Sequence, residues 1–136
     1  MRKLSLILLL FVFGSMSLTA QEKSAKLVKA ETNFCNSLKT FVATLDDFDK
    51  IDENSTMDEF RTAYKNVEKA WKKVQKTAAK LEKVEIKESL AAYNKLVNAV
   101  NKIDGEATTG DATAAINQHI DATVAEIAEI MNLTCK

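Results

Sequence analysis

The chain has 136 residues, with no proline, three glycines, two cysteines and one histidine. A hydrophobic content of 46% and a charged content of 28% are typical of one globular domain rather than a disordered chain. The scarcity of proline and glycine argues against sandwiches and barrels, which need many tight turns, and favours a few long helices. One histidine and two cysteines are too few for a His/Cys metal cage, and a Ser-His-Asp triad would depend on His119 alone. We therefore expect no catalytic activity.

The first twenty residues have the pattern of a secretory signal peptide. Arg2 and Lys3 precede an apolar run at residues 4–13, and small residues then lead to a predicted cleavage site after Ala20, with Ser17 as the alternative. The run is shorter than the roughly 20 residues that a membrane-spanning helix needs, and a retained membrane anchor is the alternative. We expect an exported protein, periplasmic or secreted, with residues 21–136 as a single domain and no stable membrane anchor after cleavage.

Removal of residues 1–20 changes the charge balance. The full chain has 19 basic and 19 acidic residues, and the removed segment contains two of the basic ones. The mature chain would therefore have 17 basic and 19 acidic residues, a net charge of −2. General nucleic-acid binding needs a strongly basic surface, so no nucleic-acid partner is expected.

Cys35 and Cys135 are predicted to form a disulfide, because an even number of cysteines in an oxidising compartment is normally paired. Two free buried thiols are the alternative. Cys35 lies about 11 residues into the first predicted helix, roughly 16 Å from its start. Pairing is therefore expected to require either that the loop at residues 104–110 climbs along the bundle or that the last turn of helix four doubles back.

The spacing of apolar residues predicts four helical segments. The first covers residues 24–48, where Leu27, Phe34, Phe41 and Phe48 recur every seven residues. The second begins at a capping box, in which a hydroxyl at Thr56 is followed three residues later by a carboxylate. Its apolar stripe keeps a heptad spacing for three repeats: Phe60, Tyr64, Val67, Trp71, Val74, Ala78 and Leu81.

The boundary between the second and third segments is marked only by a shift in the phase of the stripe. It predicts a tight reversal near residues 83–87, with one long bent helix as the alternative. A loop follows at residues 104–110, and Asp111 is the predicted cap of the fourth segment. Because short links make consecutive helices antiparallel neighbours, the predicted fold is an all-α, up-down-up-down antiparallel four-helix bundle with left-handed, coiled-coil-like packing.

One functional hypothesis is a carrier that holds an apolar ligand or haem in the bundle core. The topology resembles the cytochrome b562 family, in which a histidine of helix four and a methionine near the start of helix one hold haem. His119 occupies helix four, but none of the four methionines lies in the mature helix one. The aromatic residues of the core are more often simple packing than a ligand pocket, so no cofactor is predicted.

The leading hypothesis is a binding or structural module without catalytic activity, whose working surface is a helix face or an end of the bundle. The candidate surface is the acidic end. The predicted topology brings together residues 46–53, the start of helix two and the loop at residues 104–111. That end has ten acidic residues against Lys50, Arg61 and Lys102, a net charge of −7. The acids at the C-terminus of helix one also oppose its macrodipole.

Such a concentration of acids is often only a solubilising surface. The sharper hypothesis is that this end docks a cationic partner, an unidentified protein or envelope component, or a divalent ion. Asp47, Asp49 and Asp52 are weak calcium candidates, since Ile51 and the absence of a glycine exclude an EF-hand. The candidate partner-binding residues are Asp46, Asp47, Asp49, Asp52, Glu53, Asp104, Glu106 and Asp111.

Overall fold

The computed structural model describes the backbone of residues 2–81 and 84–135 and, within these ranges, the side chains from Ala25 onward. This part of the chain contains four helices and no strand: α1 (Arg2–Asp49), α2 (Met57–Ala78), α3 (Lys87–Asn101) and α4 (Thr109–Thr134). The predicted signal peptide falls on residues 1–20, outside the described side chains. Among the residues whose side chains are described, no helix is long and apolar enough to cross a membrane.

The four helices form two hairpins, α1 with α2 and α3 with α4, which pack together along a seam between α1 and α4. The predicted four-helix bundle is confirmed. Within the first hairpin the helices are antiparallel. Phe48 packs on Phe60 near the connecting loop, and the hydroxyls of Ser37 and Thr77 are hydrogen-bonded at 2.7 Å near the other end.

The seam is antiparallel as well, and its two ends are fixed by different contacts. At one end Gly110 of α4 lies against Glu53, which follows α1. At the other end Cys35 and Cys135 form the predicted disulfide, with a Cα–Cα distance of 5.7 Å. The disulfide therefore joins the two hairpins covalently.

The disulfide forms without a displacement of the loop at residues 104–110 along the bundle and without a reversal of the last turn of α4. The predicted geometry was wrong on this point. Instead, α1 extends past the end of α4. Leu27 and Val28 are 52% and 55% exposed, and Phe34 is the first buried residue among the described side chains of α1. Leu27 therefore lies outside the core despite its heptad position, because α4 ends beside Cys35 and leaves the earlier turns of α1 uncovered.

The helix caps explain where α2 and α4 begin. The Thr56 hydroxyl accepts a hydrogen bond from the Glu59 N–H at 3.1 Å, and the Glu59 carboxylate accepts one from the Thr56 N–H at 2.7 Å, which confirms the capping box. The predicted cap at Asp111 is wrong. Thr108 caps α4, because its backbone is extended and its hydroxyl accepts from the Asp111 N–H at 3.1 Å, three residues into the helix.

Helices α2 and α3 are separate, and the link between them spans residues 79–86. The reversal begins earlier than the predicted 83–87, because the chain tightens at the end of α2, where the Leu81 N–H donates to the Ala78 carbonyl at 2.9 Å. Leu81 is buried although it lies beyond the helix, so it continues the apolar stripe without continuing the helix.

Aromatic rings fill the side of the bundle where α2 and α3 face each other. Trp71 stacks on Tyr93 with ring centroids 4.7 Å apart, and Phe41 of α1 contacts both rings at 5.2 and 6.0 Å. These distances lie within the range of favourable aromatic pairs. Large side chains thus bridge the two helices whose backbones are not close neighbours.

Burial of the tyrosines predicts resistance to alkaline ionisation. Burial raises the pKa of Tyr93 to about 12, and the nearby Glu68 carboxylate adds to the effect. Burial, followed by a hydrogen bond to Glu68, also raises the pKa of Tyr64. Because the folded state holds these protons above pH 10, the unfolded state loses them first, and stability falls as the pH rises from about 10 to 12.

We expect tyrosinate absorbance to appear above pH 11 in the native protein and near pH 10 in denaturant. The chain has only two tyrosines, so the titration reports on this cluster alone. Native ionisation with a midpoint near 10 for both would contradict the buried placement.

Candidate functional site

The acidic end of the bundle is assembled by a contact between its two loops. Gly110, at the start of α4, lies so close to Glu53 that a Cβ added at Gly110 would be 3.3 Å from the Glu53 Cβ. This contact brings residues 46–53 and the loop at residues 104–111 to the same end. All eight candidate partner-binding carboxylates are exposed there: Asp46, Asp47, Asp49, Asp52, Glu53, Asp104, Glu106 and Asp111.

Lys50 partly offsets the charge at the end of α1. Its Nζ lies 3.0 Å from Asp46 Oδ2 and 3.8 Å from Asp47 Oδ1. The hydrogen bond to Asp46 and the two carboxylate charges raise the pKa of Lys50. All three side chains are exposed, so water and salt screen the pairs and they hold the region together only weakly.

Two of the candidate carboxylates stabilise the loops that carry them. Asp52 Oδ1 accepts hydrogen bonds from the Asn54 N–H at 2.8 Å and the Ser55 hydroxyl at 3.4 Å. Asp104 Oδ1 accepts one from the Glu106 N–H at 3.3 Å. These are the local turn bonds typical of aspartate, and they give both side chains a structural role.

The weak calcium candidates Asp47, Asp49 and Asp52 are not gathered into a cation site. Asp47 and Asp49 belong to the last turn of α1, whereas Asp52 is engaged in the turn that follows. Across the described ranges, no three His, Cys, Asp or Glu side chains are grouped so as to hold a metal ion.

A groove between α1 and α4 continues the acidic end along the side of the bundle. It has a volume of about 460 Å³. The half-buried Val42 and Val124 form part of an apolar floor, and the exposed carboxylates of Asp46, Asp49 and Asp121 line its sides. Lys39 is the one basic side chain that lines it. The groove therefore combines apolar contact area with negative charge.

Asp121, Val42 and Val124 are site residues that the sequence analysis did not identify. Val42 lies one position after the Phe41 of the heptad stripe, and Asp121 follows the inward-facing Ile120. Their spacing predicts positions at the edge of each helix's buried face. Joining them into one groove requires the knowledge that α1 and α4 are neighbours.

The carrier hypothesis involves His119 and the aromatic residues of the core, which lie outside the groove. His119 is half-buried on α4, and its carbonyl accepts a hydrogen bond from the Thr123 hydroxyl at 2.7 Å. The aromatic rings that would line a ligand pocket are in contact with one another, and Phe41, Trp71 and Tyr93 form one packed cluster. Packing among these rings is the role that the geometry assigns them.

The chain was compared with known protein families, with curated proteins and with solved structures. None of the three comparisons found a significant match.

Proposed function

We propose that this protein is an exported binding module without catalytic activity, which docks a cationic segment of another macromolecule. The docking surface is the acidic end together with the groove between α1 and α4. The observation that carries the proposal is the groove itself, in which an apolar floor at Val42 and Val124 is flanked by Asp46, Asp49 and Asp121.

The composition of the groove favours a partner segment that has both apolar and basic side chains. An apolar side chain of the partner would cover the valines, while lysine or arginine side chains beside it would meet the carboxylates. Charge complementarity of this kind accelerates association and rejects acidic partners, and it weakens as salt rises. We propose a cationic polypeptide segment rather than a divalent ion, because the described carboxylates are spread along a groove and not gathered around a point.

Export is supported by two independent features of the chain. Residues 1–20 have the pattern of a signal peptide, a segment that directs secretion in exported proteins. The disulfide between Cys35 and Cys135 is of the kind that persists in oxidising compartments and is rare in the reducing cytosol.

The test compares two variants of equal net charge. Asp46→Asn, Asp49→Asn and Asp121→Asn together neutralise the groove, whereas Glu85→Gln, Glu88→Gln and Glu129→Gln neutralise three exposed acids elsewhere. Each is used as bait on an envelope extract of the exporting cell, at low and at high salt. We expect a partner that binds the wild type and the control, is lost from the groove variant, and is released by salt.

Thermal melting separates lost binding from lost folding. The groove variant is expected to melt at or above the wild-type temperature, because Asp49 lies at the C-terminus of α1, where the macrodipole disfavours a negative charge. Equal capture by both variants would mean that the acidic end is only a solubilising surface, and would refute the proposal.

A further inference from the structure

The outer face of α2 carries a band of basic side chains. Arg61, Lys65, Lys69, Lys72, Lys73 and Lys76, here called the basic stripe, are all exposed. With 3.6 residues per turn they fall within an arc of about 120°, and they extend over roughly 22 Å of helix. Phe60, Val67, Trp71 and Val74 are buried on the opposite side of the same helix. The stripe therefore points directly away from the core.

No residue of the basic stripe forms a salt bridge within the described structure. There, salt bridges are formed by Lys50 alone, so no stripe residue is paired with a carboxylate. Glu68 is the only acidic residue between Arg61 and Lys76, and it lies at the edge of the arc. Repulsion among six neighbouring positive charges lowers the stability of the free protein, and an anionic partner would relieve it.

Charge is distributed unevenly between the α2 side and the α4 side of the bundle. Helix α4 contains four acidic residues and no basic one. It packs on α1 and α3, across the bundle from α2. A negatively charged plane would attract the α2 side and repel the α4 side, so it would hold the protein in one orientation.

We propose that the basic stripe docks the protein on an anionic lipid bilayer as a peripheral, electrostatic contact. A convex band of charges on an outer helix face fits a plane better than a groove. Five of the six residues are lysines, which act as hydrated point charges rather than as bidentate forks. The large exposed apolar residues of the described chain are Leu27, Val28 and Leu133, none of them on α2, so the stripe offers no exposed large apolar side chain for insertion into lipid or for stacking on bases.

The experiment measures cosedimentation of the full chain with vesicles of phosphatidylglycerol and phosphatidylcholine, and with pure phosphatidylcholine vesicles. The stripe variant carries Lys69→Gln, Lys72→Gln and Lys76→Gln. The matched control carries Lys29→Gln, Lys87→Gln and Lys95→Gln, three exposed lysines outside the stripe, the groove and the acidic end. Both variants have the same net charge. Both also keep residues 1–20, so any contribution of that segment to binding is the same in both. Binding to the neutral vesicles measures the apolar part of that contribution.

We expect binding to the anionic vesicles to exceed binding to the neutral ones and to fall steeply with salt. Each lysine near an anionic surface contributes about fivefold in affinity, so the stripe variant should bind about 100-fold more weakly, whereas the control should retain most of its binding. Absence of a preference for anionic vesicles, or equal losses in both variants, would overturn the proposal. Stripe-dependent binding to duplex DNA but not to vesicles, or stripe-dependent self-association, would also overturn it and assign the stripe to a different partner.

Discussion

Replacing Trp71 with alanine is expected to lower the free energy of unfolding by about 3–5 kcal/mol, the usual cost of truncating a large buried aromatic side chain. Trp71 is only 3% exposed, and its ring contacts Phe41 and stacks on Tyr93. Because α2 and α3 meet through this ring pair, the truncation leaves a cavity that the backbones cannot easily close. The free energy of unfolding of a small domain is about 5–15 kcal/mol in total, so a bundle at the low end of that range would unfold.

Chemical denaturation monitored by circular dichroism measures the loss. Trp71→Phe, which keeps an aromatic ring in contact with Phe41, should lose clearly less stability than the alanine variant. The protein has a single tryptophan, so its fluorescence reports on this site directly. An emission maximum typical of fully solvated indole in the native protein would contradict the placement of Trp71 in the core.

Removal of the disulfide is the second large expected effect. Cys35 and Cys135 are separated by 100 residues, and a bond that closes a loop of that length stabilises the folded state by up to roughly 4.7 kcal/mol in the chain-entropy account. Removing a disulfide typically costs at least about 2 kcal/mol. At about 4 °C per kcal/mol for a domain of this size, Cys35→Ser should therefore lower the melting temperature by about 8 °C or more.

Reduced wild-type protein should melt at the same temperature as Cys35→Ser and as Cys135→Ser, since all three lack the same bond. Asn36→Ser, a change at an exposed neighbour on α1, should leave the melting temperature within a degree or two of the oxidised wild type. Coincident melting of the oxidised and reduced proteins would show that the bond contributes nothing to stability.

The helical class and most of the core were predictable because each helix satisfies its own local pattern. In α2 the capping box and the heptad spacing agree, and Phe60, Val67 and Trp71 are all buried as the spacing predicts. Leu27 has the same heptad position as Phe34 but is exposed. A stripe shows which face of a helix is apolar, whereas burial depends on how far the neighbouring helix reaches.

The candidate site was only partly predictable for a related reason. The concentration of acids near residues 46–53 is visible in the sequence, but the groove depends on which helices are adjacent. Asp121 and Asp49 are 72 positions apart, and only the seam between α1 and α4 makes them line one surface. The roles of Asp52 and Asp104 in their own turns were likewise invisible to charge counting, because they depend on backbone conformation.

The position of the disulfide between the two hairpins has a consequence for assembly. Each hairpin buries its apolar face against the other, and the link at residues 79–86 connects them. Such an arrangement is suited to domain swapping, in which the hairpin of one chain packs on the complementary hairpin of a second chain. Exchange requires the hairpins to separate, and a bond between Cys35 and Cys135 of the same chain forbids it. A disulfide within one chain thus keeps its two hairpins packed on each other.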